Sequence, residues 1–281
     1  RIINIDSFND ADLIGENYLN PDPQGKVNKE VISIIKNLKL EKDDTLIIAS
    51  SEYENNEDYF DELKHYGYPL GNSQSTIKDI YDHTKIFKKL KNQNIKFPEK
   101  ISDLEIHNKN FIKKNFHTSG GLGIKKNEAS ENSSEDDFYQ NYIEGDSYSV
   151  IFMCHNEEFS IIGINKIFSK KTKFSDFTFS GAYSNIKLAK EVTKSIKHMI
   201  NFFVKNYKLV GINGIDFILS DDVYFLEINP RITQTCFMYE NSFSNGFLNA
   251  HIEACLKKNN EIKINKNKSY FGFETIFANT S

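Results

Sequence analysis

Two carboxylates and an amide in the last third of the chain are the residues whose types and spacing could do chemistry. Asp216 interrupts the apolar run GINGIDFIL (Gly211 to Leu219), and Glu227 and Asn229 punctuate YFLEINPR (Tyr224 to Arg231). If Asp221 and Asp222 form a two-residue turn, Ser220 faces Val223, and counting back sets Asp216 opposite Glu227. Asn229 then shares a face with Glu227, because strand side chains alternate. Like charges directly opposite on a sheet are destabilising, so the pairing makes sense with a cation between them. All three side chains offer hard oxygen donors. That set suits Mg²⁺, which takes one or two carboxylates and completes its shell with water and substrate phosphate. Arg231, just past Pro230, adds a fixed cation suited to negative charge as it develops. A solvated sheet face is the alternative, and the apolar flanks argue against it.

A polyphosphate needs more than a metal: it needs cations and backbone N–H groups. The stretch KKNFHTSGGLGIKK (Lys113 to Lys126) offers both. In a strand from Phe111 to Phe116, Ile112, Lys114 and Phe116 share a face, with Lys113 the alternative lysine if the phase slips. Gly120, Gly121 and Gly123 let the backbone approach an anion closely. The spacing fits neither a P-loop nor GxGxxG, so a Walker-type site and a Rossmann dinucleotide site are both unsupported.

The elements that must position these groups read as follows. RIINI (Arg1 to Ile5) and TLIIAS (Thr45 to Ser50) are short strands. Val27, Val31, Ile34, Ile35 and Leu38 recur at helical spacing between them, and DYFDELKHYG is a second helix. This rhythm predicts a small parallel βαβ unit. PLGNS is a loop. Ile77, Ile80, Phe87 and Leu90 predict one further helix. FYQNYIEGDSYSVIFMC gives one or two strands around Gly145, and EEFSIIGINKIF another. The basic loop SKKTKFSDF follows; it could carry a lysine over a substrate, or be a solvated charge run. Val192, Ile196, Met199, Ile200, Phe203 and Tyr207 predict an amphipathic helix leading into the carboxylate strands, and a last helix runs from about Ser244 to Lys257.

The 281 residues carry 39% hydrophobic and 13% aromatic side chains, enough for a substantial core. A net charge of −4 with scattered basic residues argues against a nucleic-acid face. No run is long and apolar enough for a membrane span, and the start turns acidic where a leader's apolar core should continue. Cys154, Cys236 and Cys255 are odd in number and lack CxxC spacing, the pattern of buried thiols in a reduced, cytoplasmic compartment. His65, His83, His107, His117, His155, His198 and His251 lack ligand spacing and are read as non-ligands. Asp6, Asp10 and Asp12 follow the first strand, where a βαβ unit opens toward ligand; acids near a helix N-terminus explain them equally well.

YDHTKIFKKLKNQNIKFPE, FIKKNFHTSGGLGIKK, FYQNYIEGDSYSV, GINGIDFIL and YFLEINPRI occur in the order and spacing of the ATP-grasp superfamily. From about Asp82 to Asn241 the chain resembles the carboxylate–amine ligases and carboligases related to biotin carboxylase and D-alanine–D-alanine ligase. The resemblance implies an α+β ATP-grasp fold with a small N-terminal Rossmann-like βαβ domain (1–75) and a linker helix region (76–108). A lid subdomain (109–166) and a C-terminal α+β subdomain holding the metal site (167–281) complete it. It implies Lys85 and Lys114 on the nucleotide phosphates, and Ser119, Gly120, Gly121 and Gly123 in a loop over them. Gln140, Asn141, Tyr142 and Ile143 become the hinge reading adenine. Asp216, Glu227 and Asn229 become ligands of Mg²⁺, two ions with Mn²⁺ as the substitute, and Arg231 with Lys114 the catalytic cations. Two departures stand out. Ser147 replaces the usual ribose-binding glutamate, leaving Asp146 as the stand-in, and Gly214 replaces an arginine found in peptide-forming relatives. The implied activity is ATP-dependent activation of a small carboxylate as an acylphosphate and its transfer to an amine, with amino-acid ligation in cofactor biosynthesis as one setting. An inactive nucleotide-binding sensor or assembly protein and a bicarbonate-using carboligase remain open as alternatives. The partners implied are small molecules, with no nucleic acid or membrane, and a homodimer is left open.

Overall fold

The computed structural model describes residues 1–7, 13–21, 29–48, 61–102, 110–115, 120–128, 137–257, 263–265 and 269–276. The chain divides into two compact units, Arg1–Lys78 and Asp79–Ser281.

In the first unit, β1 (Ile3–Asp6) pairs in parallel with β2 (Glu16–Leu19), and β3 (Leu46–Ile47) in parallel with β4 (Tyr68–Pro69). Helix α1 (Lys29–Asn37) buries Val31, Ile32 and Ile35 against Leu63, with Ile5 and Ile47 packed alongside. The two strands expected from the sequence thus meet the same helix. Each hydrogen-bonds to a short partner that the periodicity missed, since two to four residues are too few to show a period. Asp10, Asp12 and Val27 lie outside the described residues.

The single helix expected over Ile77 to Leu90 is two, α2 (Gln74–Tyr81) and α3 (His83–Asn92). Asp82 breaks it: its carboxylate accepts from the backbone N–H of Lys85 at 3.0 Å, an N-cap that starts a new helix.

Among its described residues the second unit carries two sheets. The smaller has the order β5-β8-β6-β7, from β5 (Lys100–Ile101), β6 (Phe111–Asn115), β7 (Lys125–Lys126) and β8 (Asp137–Asn141). The larger is antiparallel and starts with β9 (Asp146–His155), β10 (Glu158–Lys170) and β11 (Thr178–Tyr183). Helix α4 (Lys190–Tyr207) crosses to β12 (Gly211–Leu219) and β13 (Val223–Asn229). Helix α5 (Gly246–Leu256) and β14 (Gly272–Glu274) complete the order β13-β12-β9-β10-β11-β14. The change of sheet falls between Asn141 and Asp146, because β9 pairs with β12 on one side and with β10 on the other.

The larger sheet has a core on each face. Val150, Phe152, Ile215 and Phe217 pack against Ile196, Met199, Ile200 and Phe203 of α4. Each such side chain contributes on the order of 1.5–3 kcal/mol by leaving water. Ile151, Met153 and Ile212 face Tyr239, Phe247 and Ala254 on the other side. Alternation along β9 explains why that strand is buried on both faces and reads as an unbroken apolar run. Among the described residues no helix is long and apolar enough to cross a membrane.

Candidate functional site

The β12–β13 hairpin sets Asp216 opposite Glu227 and Gly214 opposite Asn229. The expected pairing is observed, but by a different route. The turn takes three residues, with Leu219 opposite Val223 and Ser220 N–H donating to the Asp222 carbonyl at 3.0 Å. That longer turn alone would face Asp216 with Leu226. A bulge between Asp216 and Phe217 lets β13 use one extra residue, which restores the Glu227 partner. The bulge also switches phase: Phe225 and Ile228 both reach the α4 core, and Glu227 and Asn229 are left on the opposite face. Lys96 pins the turn through Asp222 at 3.0 Å, and its carbonyl accepts from Phe225 N–H at 2.8 Å.

Burial, and the Glu227 carboxylate facing it, hold the Asp216 carboxyl well above the usual range, with a hydrogen bond between the two acids adding to the effect. Asn229 and Arg231 pull the other way. Asn229 donates to Asp216 Oδ2 at 3.2 Å, and its own Oδ1 accepts from Arg231 at 3.1 Å. The amide therefore bridges acid and guanidinium, and a half-turn about its last torsion is needed before Oδ1 could face a cation alongside the carboxylates. Among the described residues no three His, Cys, Asp or Glu side chains converge as a cage. Two carboxylates and an amide fit a hard cation that completes its shell with substrate oxygens, and the pressure on Asp216 to stay protonated is what such a cation relieves.

The smaller sheet presents the basic side. Lys114 lies opposite Phe138, and Lys100 opposite Gln140, so Lys100, Phe138 and Lys114 share one face. Lys100 Nζ stands 4.9 Å from the Phe138 ring, and burial lowers its pKa. Lys113 turns to the other face and pairs with Asp137 at 2.8 Å, which leaves Lys114 as the lysine on the site side.

Lys85 is not brought to this face. Its ammonium pairs with Asp82 at 2.7 Å, and its side chain is 67% exposed. The residue of that turn that meets the site is His83, packed 6.0 Å from Phe138. Burial first, then Lys100 and Lys114, push its pKa down to about 4, while Glu227 and Asp82 oppose the shift. His83 thus feels both lysines and the carboxylate of the other sheet. Its spacing reads as that of a non-ligand, like the other histidines, and nothing in the sequence singles out Lys100. The signal for Lys100 is the cross-strand pairing of β5 with β8, and for His83 its packing on Phe138 of β8, neither of which spacing along one sequence reveals.

Gly120, Gly121 and Gly123 all have φ between 64° and 71°, the left-handed region that explains glycine there. Ser119 lies outside the described residues. Gln140 is buried and donates to the Pro98 carbonyl at 3.1 Å. The Asn141 and Tyr142 amides donate to the carbonyls of Glu99 and Asn110, both at 2.9 Å, so the first backbone N–H beyond that ladder is that of Ile143. The Tyr142 ring lies under Lys126 at 3.6 Å. Asp146 is exposed and paired with Lys166 at 2.5 Å.

A small sheet carrying lysines and a glycine turn, set beside a larger sheet carrying paired acids, is the arrangement of a nucleotide-binding domain of the ATP-grasp type. The ATP-grasp domain family model matches residues 80–235, more than half the chain, and the chain belongs to that family. The uncharacterized protein MJ0776 of Methanocaldococcus jannaschii is 28% identical over 268 residues, 88% of this chain, and the chain spans 65% of that relative's length. Biotin carboxylase from Campylobacter jejuni, solved as a β-γ-ATP complex, superposes with a TM-score of 0.66 at 14% identity, over 84% of this chain and 60% of that one. The biotin carboxylase domain of Hydrogenobacter thermophilus 2-oxoglutarate carboxylase, solved with MgADP, ADP and bicarbonate, gives 0.68 at 15% identity over 91% and 63%. N5-carboxyaminoimidazole ribonucleotide synthetase from Thermotoga maritima gives 0.60 at 17% over 90% and 68%. At these identities the likeness is one of fold.

Proposed function

We propose that the chain is the nucleotide-binding and catalytic part of an ATP-dependent ligase that activates a small carboxylate and joins it to an amine. The observation carrying this reading is the bulged register that sets Asp216 opposite Glu227 while Lys100 and Lys114 share the site-facing side of the smaller sheet. Acids and cations so placed suit the two halves of a metal-bound triphosphate.

In this reading the four-stranded sheet is the lid, Ile143 offers its backbone to the adenine edge, and Asp146 is the ribose contact once Lys166 releases it. Lys114 and Lys100 hold the phosphates, with His83 nearby as a neutral imidazole. Asp216, Glu227 and, after its half-turn, Asn229 would hold Mg²⁺, one ion or two, with Mn²⁺ as the substitute. Bound there, the ion would supply charge neutralisation at the phosphates. A carboxylate oxygen of the substrate attacks the γ-phosphorus and the bond to the bridging oxygen breaks, releasing ADP. The amine nitrogen then attacks the acyl carbon, phosphate departs and the amine gives up a proton. Arg231, held beside Asn229, faces the charge that accumulates at these steps. The protein supplies positioning and charge compensation rather than a covalent intermediate.

The test is ADP release with Mg²⁺ across a panel of amino acids paired with amines. Turnover with one carboxylate–amine pair, abolished by Glu227→Gln, is the expected result. ADP release that requires bicarbonate instead would mark a carboligase. Tight ATP binding with no release under any pairing would mark a sensor.

A further inference from the structure

The segment between β10 and β11, which reads from sequence as a basic solvated loop, is built around Thr172. Its hydroxyl accepts from the backbone N–H of Ser175 at 3.2 Å and of Phe174 at 3.3 Å, and lies 2.8 Å from the Thr178 hydroxyl. The turn so made drives Ser175 inward until it is fully buried. There its hydroxyl shares a proton between the carbonyls of Gly121 at 2.5 Å and Ile124 at 3.0 Å. Asp176 N–H donates to the Ile124 carbonyl at 2.8 Å, and Phe179 N–H to the Gly120 carbonyl at 3.0 Å. Asp176 Oδ2 accepts from Lys126 N–H at 2.9 Å, and Lys171 at 2.8 Å keeps that carboxylate below its usual pKa. A Cβ on Gly121 would overlap the Phe177 carbonyl, so the two segments are in direct backbone contact.

These contacts have a directional consequence. The chain contains no cis peptide bond among the described residues. In a trans peptide the C=O and the following N–H point opposite ways. With the Gly120 and Gly121 carbonyls turned toward Phe179 and Ser175, the N–H groups of Gly121 and Leu122 point away from that segment, side by side. Successive N–H groups aimed the same way form an anion-binding concavity. Glycines in the left-handed region would otherwise sample many orientations.

We propose that Ser175, supported by Asp176, is a positioning residue that holds the Gly121 and Leu122 amides in the orientation that grips the outer phosphates of the nucleotide. The proposal rests on the nucleotide reading above. It is tested by titration calorimetry of the unaltered chain, Ser175→Ala and Asp176→Ala with Mg·AMP-PNP and, separately, with AMP. Asp176→Ala serves as the independent variant should Ser175→Ala fold poorly. The expected result is about tenfold weaker AMP-PNP binding in each variant, the size of one or two lost hydrogen bonds, with AMP binding unchanged. Hydrogen exchange at Gly121 and Leu122 should also speed up. Equal loss for both ligands, or no loss for either, overturns the positioning role while leaving nucleotide binding in place. Failure of the unaltered chain to bind either ligand overturns both readings.

Discussion

Replacing Glu227 by Gln tests the carboxylate pair by a sign rather than by a loss. Two unit charges roughly 4 Å apart repel by about 4 kcal/mol at an effective dielectric of 20 and by about 1 kcal/mol in water. Glu227 is exposed, so the solvent-screened end applies, and the substitution should raise stability by about 1 kcal/mol near neutral pH in the absence of divalent ions. The pH dependence fixes the cause. The folded-state pKa of Asp216 lies well above 3.8, so the folded chain retains a proton that the unfolded chain has released. The resulting stability is fully present below 3.8 and is lost as pH rises through the folded value. In Glu227→Gln that loss is smaller, so the two proteins converge in acid and separate toward neutrality. Adding Mg²⁺ and ATP should invert the order. A ligand at a hundred times its Kd stabilises by about 2.7 kcal/mol, a gain open to the native pair and largely closed to the variant. Urea denaturation with and without Mg·ATP, at several pH values, measures all of this. A variant less stable than the native chain without divalent ions at neutral pH, or stabilised equally by Mg·ATP, would refute the reasoning.

Three further outcomes are expected. Lys114→Ala and Lys100→Ala should each weaken Mg·AMP-PNP binding by about tenfold or more, whereas Lys85→Ala, which breaks only the exposed pair with Asp82, should change it less than about twofold. Tyr239→Phe should cost about 1–3 kcal/mol in urea unfolding, because the hydroxyl it removes donates to buried Asn165 at 2.6 Å and accepts from Asn185 N–H at 3.2 Å. His251 accepts from Ile212 N–H at 3.0 Å, and burial holds its pKa down from 6.5 to about 4. The unfolded chain therefore binds the proton first, and stability should fall by roughly 3 kcal/mol as pH drops through that interval, a slope that His251→Asn removes.

The acids were legible because an ionisable residue inside an apolar strand is costly enough to stand out, and because alternation fixes which of them share a face. The pairing of Asp216 with Glu227 followed from a turn assumed one residue too short and a bulge not foreseen, and the two errors cancel. Lys114 was separable from Lys113 by phase alone, and the ion pair of Lys113 with Asp137 shows why the phase matters. Lys85, whose ammonium pairs with Asp82, shows the opposite case. On a helix the neighbouring positions His83 and Lys85 point in different directions, and the Asp82 cap that decides between them is a local detail that periodicity does not encode. Lys100 and the anchoring of Ser175 on Gly121 depend on contacts between residues 40 and 54 positions apart, where spacing along the chain carries no information. The short strands β2, β4 and β5 escaped for want of length.

The extra residue in β13 works as a decoupler. Upstream of it the hairpin tip can be counted one way, and downstream the strand keeps step with β12 and β9 in another. Loop grafts or insertions at Ser220 to Asp222 should therefore leave the acids where they are, and excision of Leu226 would remove the bulge while keeping Phe225 opposite Phe217 and Glu227 opposite Asp216. Anyone re-engineering this domain has freedom at the tip, provided that the strand beyond the kink keeps its step with β12.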